Sequence, residues 1–156
     1  ARTSKQGPAA EIPFPPEYPD PYGQHRKECG KALFGAMSIT REDTAGRFAA
    51  FQNNYRAFGA PHVAIVAYHR NLFREYGALD VGIWLQSVML GAQALGLATC
   101  AQASLASYPD VVREVLDIPE DLTILCGMSL GYEDPEVPAN TCKTDRDKVE
   151  TNIRFV

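Results

Sequence analysis

The segment from Leu79 to Ala98 constrains this chain more than any other. Read as a helix, it carries apolar side chains on nearly every face, so it needs apolar partners on nearly every face. It also holds Asp80, Gln86, Ser87 and Gln93, which argues against a bilayer span and for a helix buried in protein. Gly96 stands where such a helix is expected to stop. Beyond it comes a loop of small residues, Ala98-Thr99-Cys100-Ala101-Gln102-Ala103-Ser104, then a short helix over residues 110–116 and an apolar strand within residues 122–132. The loop is therefore expected between two buried elements, and a backbone with so little side-chain cover can lie against a flat ligand.

With 156 residues, 46% hydrophobic and 22% charged, the chain has the makings of one soluble globular domain. Fifteen basic and nineteen acidic residues give a net charge of -4, and the Lys and Arg residues are scattered, so nucleic acid is excluded as a partner. Cys29, Cys100, Cys126 and Cys142 form no C-x-x-C pair, and His occurs only at 25, 62 and 69; neither a zinc site nor a redox dithiol is expected. Four free thiols fit a reducing cytoplasm, although the even count also permits two disulfides. No signal-peptide pattern is present. The chain begins with Ala1 rather than Met, as a processed product or part of a longer polypeptide would.

Residues 1–21 hold six of the eleven prolines and are expected to form an extended arm that wraps a surface; residues 22–156 are expected to form a single domain. Asp20-Pro21 offers a cap and a first-turn proline for a helix to about Ser38, with Leu33, Phe34 and Met37 as its apolar contacts. Thr40-Arg-Glu-Asp43 resembles a capping box, and Phe48, Phe51, Tyr55 and Phe58 follow at helical spacing, which predicts four rings packed into a core before Gly59-Ala-Pro61 ends the helix. Val63–Tyr68 is continuously apolar and predicts a central strand, with His62 and His69 at its ends. After Tyr132, Pro135 and Pro138 enforce an irregular path. The charged run from Lys143 to Lys148 leads to an apolar tail ending Phe155-Val156, expected to dock elsewhere.

Two stretches carry chemical signals. Gly127-Met-Ser-Leu-Gly131 matches the G-x-S-x-G nucleophile elbow, which would make Ser129 a hydrolase nucleophile. No His follows Ser129, so the Ser-Asp-His order cannot be built, and the glycines are better read as easing a buried strand and its exit turn. The second signal is broader. Gly77-Ala-Leu-Asp80, Leu85–Leu97, Thr99-Cys100, Val112–Pro119 and Cys126–Tyr132, with Gly59-Ala-Pro61 ahead and Asn140–Arg146 behind, resemble the elements of the FMN-dependent nitroreductase family in order and spacing.

That resemblance implies an α+β fold of nitroreductase type, with a central mixed sheet flanked by helices and a long buried helix at a homodimer interface. It implies FMN as cofactor, with Ala101, Gln102, Ala103 and Ser104 along the isoalloxazine ring and a main-chain N–H near Ala103 directed at N5. Lys143 and Arg146 match the family's basic pair for the flavin phosphate, a role suited to an ammonium and a forked guanidinium. Phe34 and Met37 are candidates for an apolar substrate wall. The implied activity is ping-pong hydride transfer from NAD(P)H through the flavin to a nitroaromatic, quinone or similar electrophile, with no side-chain acid, base or nucleophile. The family's Arg- and Ser-rich opening segment and its Asn-x-Gln-Pro-Trp-like stretch are not in this sequence, so the match covers the C-terminal two-thirds of the family pattern. The alternative is a shortened relative without flavin that serves as a binding or structural dimer.

Overall fold

A computed structural model describes residues 7–154 and 156. In chain order its elements are α1 (Tyr22–Ala36), α2 (Thr44–Gln52), a 3-10 segment (Asn53–Gly59), β1 (His62–His69), α3 (Arg74–Ala94), β2 (Ala98–Gln102), a 3-10 turn (Ala103–Ala106), α4 (Pro109–Leu116), β3 (Leu122–Gly131), a second 3-10 turn (Pro138–Thr141) and α5 (Val149–Asn152). They fall into two compact units: the segment up to Pro16 with Phe48–Glu133, and Glu17–Arg47 with Asp134–Val156. No described helix is long and apolar enough to cross a membrane.

The first unit is built on a three-stranded sheet in the order β1-β3-β2. The apolar run of β3 is central and buried along most of its length, with Ile124 fully enclosed and Met128 nearly so. Both neighbours pair with β3 antiparallel. The sheet of described strands is thus antiparallel rather than mixed: β1 and β2 run the same way but are not bonded to each other. The expected central position of Val63–Tyr68 is also overturned, because β1 lies at an edge and only Val66 and Tyr68 of it are buried. A continuous apolar run tells of burial, and here β3 has taken the position that is covered on both sides.

Helix α3 starts at Arg74, earlier than Leu79, with Glu75 in its first turn where the helix dipole favours a carboxylate. It ends as expected before Gly96, which adopts φ +76°. The expected burial is not found within this chain. Among the described residues of α3 only Gly77 and Ala92 are buried, whereas Leu79, Ile83, Trp84 and Leu90 are more than half exposed. The sheet can cover one side of a helix, and this helix is apolar on all sides.

The predicted four-ring helix is shorter than expected. Asp43, not Thr40, caps α2, accepting the Gly46 N–H at 2.8 Å, and α2 ends at Gln52. Ala57 and Phe58 then adopt left-handed conformations (φ 52° and 54°), followed by Gly59 at φ 80°. Phe48, Phe51 and Phe58 are exposed rather than packed in a core. Tyr55 meets two rings, Phe51 at 5.5 Å and Tyr108 at 5.9 Å between centroids. The Asn53-Asn54 pair competes with helical hydrogen bonding at the point where the chain turns.

The proline-rich arm is fastened by one carboxylate. Glu11, with a side chain 17% exposed, pairs with Arg70 at 2.7 Å and with Arg113 at 2.9 Å. It also accepts the Ile124 N–H of β3 at 2.7 Å. Arg113 in turn donates to the carbonyls of Pro119 (2.6 Å), Ile118 (3.3 Å) and Leu122. Two residues upstream of Glu11, the Ala9 N–H donates to the Ser107 carbonyl at 2.8 Å. Helix α4 opens with Pro109 in its first turn and closes at Asp117, where the Ile118 N–H returns to the Arg113 carbonyl.

In the second unit, α1 lies against the Pro138–Thr141 turn. The Arg47 guanidinium sits 4.1 Å from the Phe34 ring centroid, an attraction to the ring's negative face. The expected docking of the tail through Phe155 lies outside the described residues.

Candidate functional site

Strand β2 occupies the stretch expected to be a loop: Ala98–Gln102 pairs with β3, and the 3-10 turn begins at Ala103. Side chains this small are tolerated in a strand because β3 supplies the ladder on one side. Among the described residues the other edge of β2 has no strand partner, so alternate main-chain N–H and C=O groups point away from the sheet. Cys100, Ala101 and Ala103 are exposed along this stretch.

Gln102 is different. It is 4% exposed, and its carboxamide is held at both ends: Nε2 donates to the Asn54 carbonyl at 3.0 Å, and Oε1 accepts from the Ser129 hydroxyl. Ser104 donates to Asn54 Oδ1 at 3.3 Å. Gly127 lies opposite Gln102 in the register, and a Cβ there would come within 2.7 Å of Leu105 Cβ. Gly127→Ala is therefore expected to destabilise the chain by about 1–3 kcal/mol through overpacking against the 103–106 turn, measured as a lower midpoint of urea unfolding. An unchanged midpoint would show that the turn moves aside freely.

This network removes Ser129 as a nucleophile. It is buried inside β3 rather than raised on a turn, and its hydroxyl is committed to Gln102. Burial pushes the Cys126 thiol up, and partial desolvation at the strand surface does the same to Cys100, so both are neutral at physiological pH. No group of three or more His, Cys, Asp or Glu among the described residues could hold a metal ion. The arrangement offers main-chain donors and small surfaces rather than a titrating side chain.

Of the residues singled out from the sequence, Ala101, Gln102, Ala103 and Ser104 come together in the first unit. Phe34, Met37, Lys143 and Arg146 belong to the second. Phe34 and Met37 are half-buried. Arg146 Nη1 donates to Thr144 Oγ1 at 2.8 Å within its own exposed segment. Asn54 and the left-handed residues after it were not anticipated; the only signal was the Asn-Asn pair, which favours departures from helix.

The α+β chain thus presents a small-residue edge strand with the Ser129 hydroxyl behind it committed to Gln102. The nitroreductase family model matches residues 22–132, and the chain belongs to that family. A 4-nitrobenzoate reductase from Nocardioides sp. (strain LMS-CY) is 38% identical over 145 residues, covering 92% of this chain and 58% of that protein. The crystal structure of an FMN and NADPH-dependent nitroreductase, NfnB from sphigopyxis sp. strain HMH, superposes with a TM-score of 0.88 at 36% identity, covering 95% of this chain and 66% of that one. The FMN-dependent nitroreductase NfnB from Mycobacterium smegmatis, in complex with NADPH, superposes with a TM-score of 0.90 at 31% identity, covering 96% and 67%. The chain thus spans 58–59% of the length of the two 4-nitrobenzoate reductases it matches.

Proposed function

We propose that this chain carries part or all of an FMN-dependent NAD(P)H oxidoreductase of nitroreductase type, acting by ping-pong transfer on a nitroaromatic, quinone or similar electrophile. The observation that carries the reading is β2: an edge strand of small residues, exposed at Cys100 and Ala101 and anchored from behind by a buried carboxamide. A planar ring needs a flat, unobstructed backbone and fixed donors, and this edge has both properties. When bound, FMN supplies the hydride acceptor and donor that no side chain here can provide. Ala101, Ala103 and Ser104 would line the ring, with a main-chain donor near Ala103 serving N5. Gln102 contributes its backbone, since its side chain is engaged elsewhere. Lys143 and Arg146 would neutralise the phosphate, and Phe34 and Met37 would give the acceptor an apolar wall. The exposed residues of α3 fit a homodimer in which a second copy covers them, and four free thiols fit a cytoplasmic setting.

The test is an absorbance spectrum of the purified chain between about 350 and 500 nm, the range of flavin bands, before and after excess FMN and desalting. Bands that survive desalting support the reading. A colourless desalted protein refutes flavin binding by this chain alone: the segments of the family pattern that it lacks are needed, or the site is lost. Arg146→Ala is expected to weaken FMN binding by about 1.5–3 kcal/mol, the worth of hydrogen bonds to a charged group, read as a higher Kd in a flavin fluorescence titration. An unchanged Kd would remove Arg146 from the phosphate site.

A further inference from the structure

We infer that Gln102 is a positioning residue: a register peg that sets where the main chain of residues 101–103 lies at the β2 edge, and through that edge tunes the flavin packed on it. The inference rests on the proposed flavin reading for its second half only.

The need for a peg follows from composition. Side-chain packing normally specifies strand register, because a slip of one residue turns every side chain to the other face. In Ala98-Thr-Cys-Ala-Gln102 the first four residues are small, and Cys100 and Ala101 are exposed. Packing therefore distinguishes poorly between registers. Gln102 supplies the missing discrimination. It pairs with Gly127 across the sheet, while Cys100 pairs with Ser129, so Ser129 is the diagonal neighbour of Gln102 on the same face. Diagonal neighbours are within reach of a long side chain. In the observed register the carboxamide accepts from Ser129 and donates to the Asn54 carbonyl. A slip of one residue would carry the carboxamide to the opposite face and take it away from both the half-buried Asn54 and the buried Ser129 hydroxyl, the latter at the cost of an unsatisfied buried group.

The same carboxamide reaches beyond the sheet. Asn54 lies in the segment that runs into left-handed Ala57 and Phe58, conformations that non-glycine residues hold only when their surroundings enforce them. Asn54 is bonded through its carbonyl to Gln102 and through its side chain to Ser104, so the two residues flanking Ala103 are tied to one point. Ala103 itself carries no side-chain hydrogen bond; its main chain is held by its neighbours.

The test uses Gln102→Leu, Gln102→Glu and the parent chain. The first readout is amide hydrogen exchange without flavin. Leu removes both hydrogen bonds and is expected to raise exchange at residues 99–104 at least about tenfold, since the loss of one alone is on that scale, with α4 and residues 122–126 of β3 unchanged. Glu still accepts from Ser129 but cannot donate to Asn54 when ionised; a buried carboxyl is protonated readily. It should therefore fall between Leu and the parent at about pH 8 and, relative to the parent, recover towards it at about pH 5.5. Exchange equal to the parent in Leu overturns the peg, and so does a rise shared by α4 and β3, which marks general loosening. Should Leu fail to fold, the pH-dependent recovery of Glu decides the matter alone. The second readout is the midpoint potential of bound flavin, which Leu is expected to shift; local loosening with an unchanged potential overturns the tuning. A parent that retains no FMN overturns both the flavin reading and the tuning, while the exchange pattern still decides the peg.

Discussion

Replacing Glu11 with glutamine is expected to lower the unfolding free energy by about 3 kcal/mol, since removing one partner of a largely buried ion pair leaves the other charge uncompensated. Arg113 has a side chain 11% exposed, and without Glu11 it keeps only carbonyl partners. The expected result in urea is a lower unfolding midpoint with the slope preserved, followed by circular dichroism. An unchanged midpoint would mean that the arm rests on the first unit without fastening it.

Acid gives a second view of the same clasp. Burial pushes the Glu11 carboxyl up, but the Ile124 N–H and the guanidinium groups of Arg113 and Arg70 outweigh it and hold the carboxyl below its ordinary value of 4.5. A depressed folded-state value means that the unfolded chain binds the proton more tightly, so the contribution is fully present above the unfolded value and fades as pH falls through the folded one. The stability difference between the parent and Glu11→Gln should therefore narrow on acidification below the ordinary carboxylate range. A gap that is constant down to strong acid would assign the effect to packing instead of charge.

Ile124→Ala is expected to cost about 3 kcal/mol, within the range for deleting a buried aliphatic side chain and leaving a cavity. Ile124 is 0% exposed, lies in the central strand, and gives its N–H to Glu11. The two substitutions share a residue in direct contact, so their effects in the double variant should depart from a simple sum. A loss below about 1 kcal/mol in the single variant would show that the core around β3 closes over the gap.

The parts of the fold legible in the chain are those governed by local chemistry. The apolar run of β3, Pro109 at the start of α4 and Gly96 after α3 all stand where propensity and turn chemistry put them. Residues 98–104 stand out for the same local reason: small side chains expose backbone. What could not be read there was that the stretch is a strand, because its small residues have no periodicity and its ladder comes from a partner 25 to 33 residues along. The inward role of Gln102 was hidden likewise, since it depends on Ser129 and Asn54 meeting in space.

The errors share one cause. Apolar composition at Val63–Tyr68 and at the four aromatic residues points to burial in a core, yet much of that surface is open. Composition states how much apolar surface a segment has, not which neighbour covers it. By itself, then, the sequence determined the kinds of elements, their order, and the family pattern carried by short-range spacing. Tertiary structure alone decided which strand is central, which glutamine is a peg, and that a glutamate in the arm reaches two arginines and a strand amide. Those are contacts between residues distant along the chain, and only the closed fold brings their charges and hydrogen-bonding groups within reach of each other.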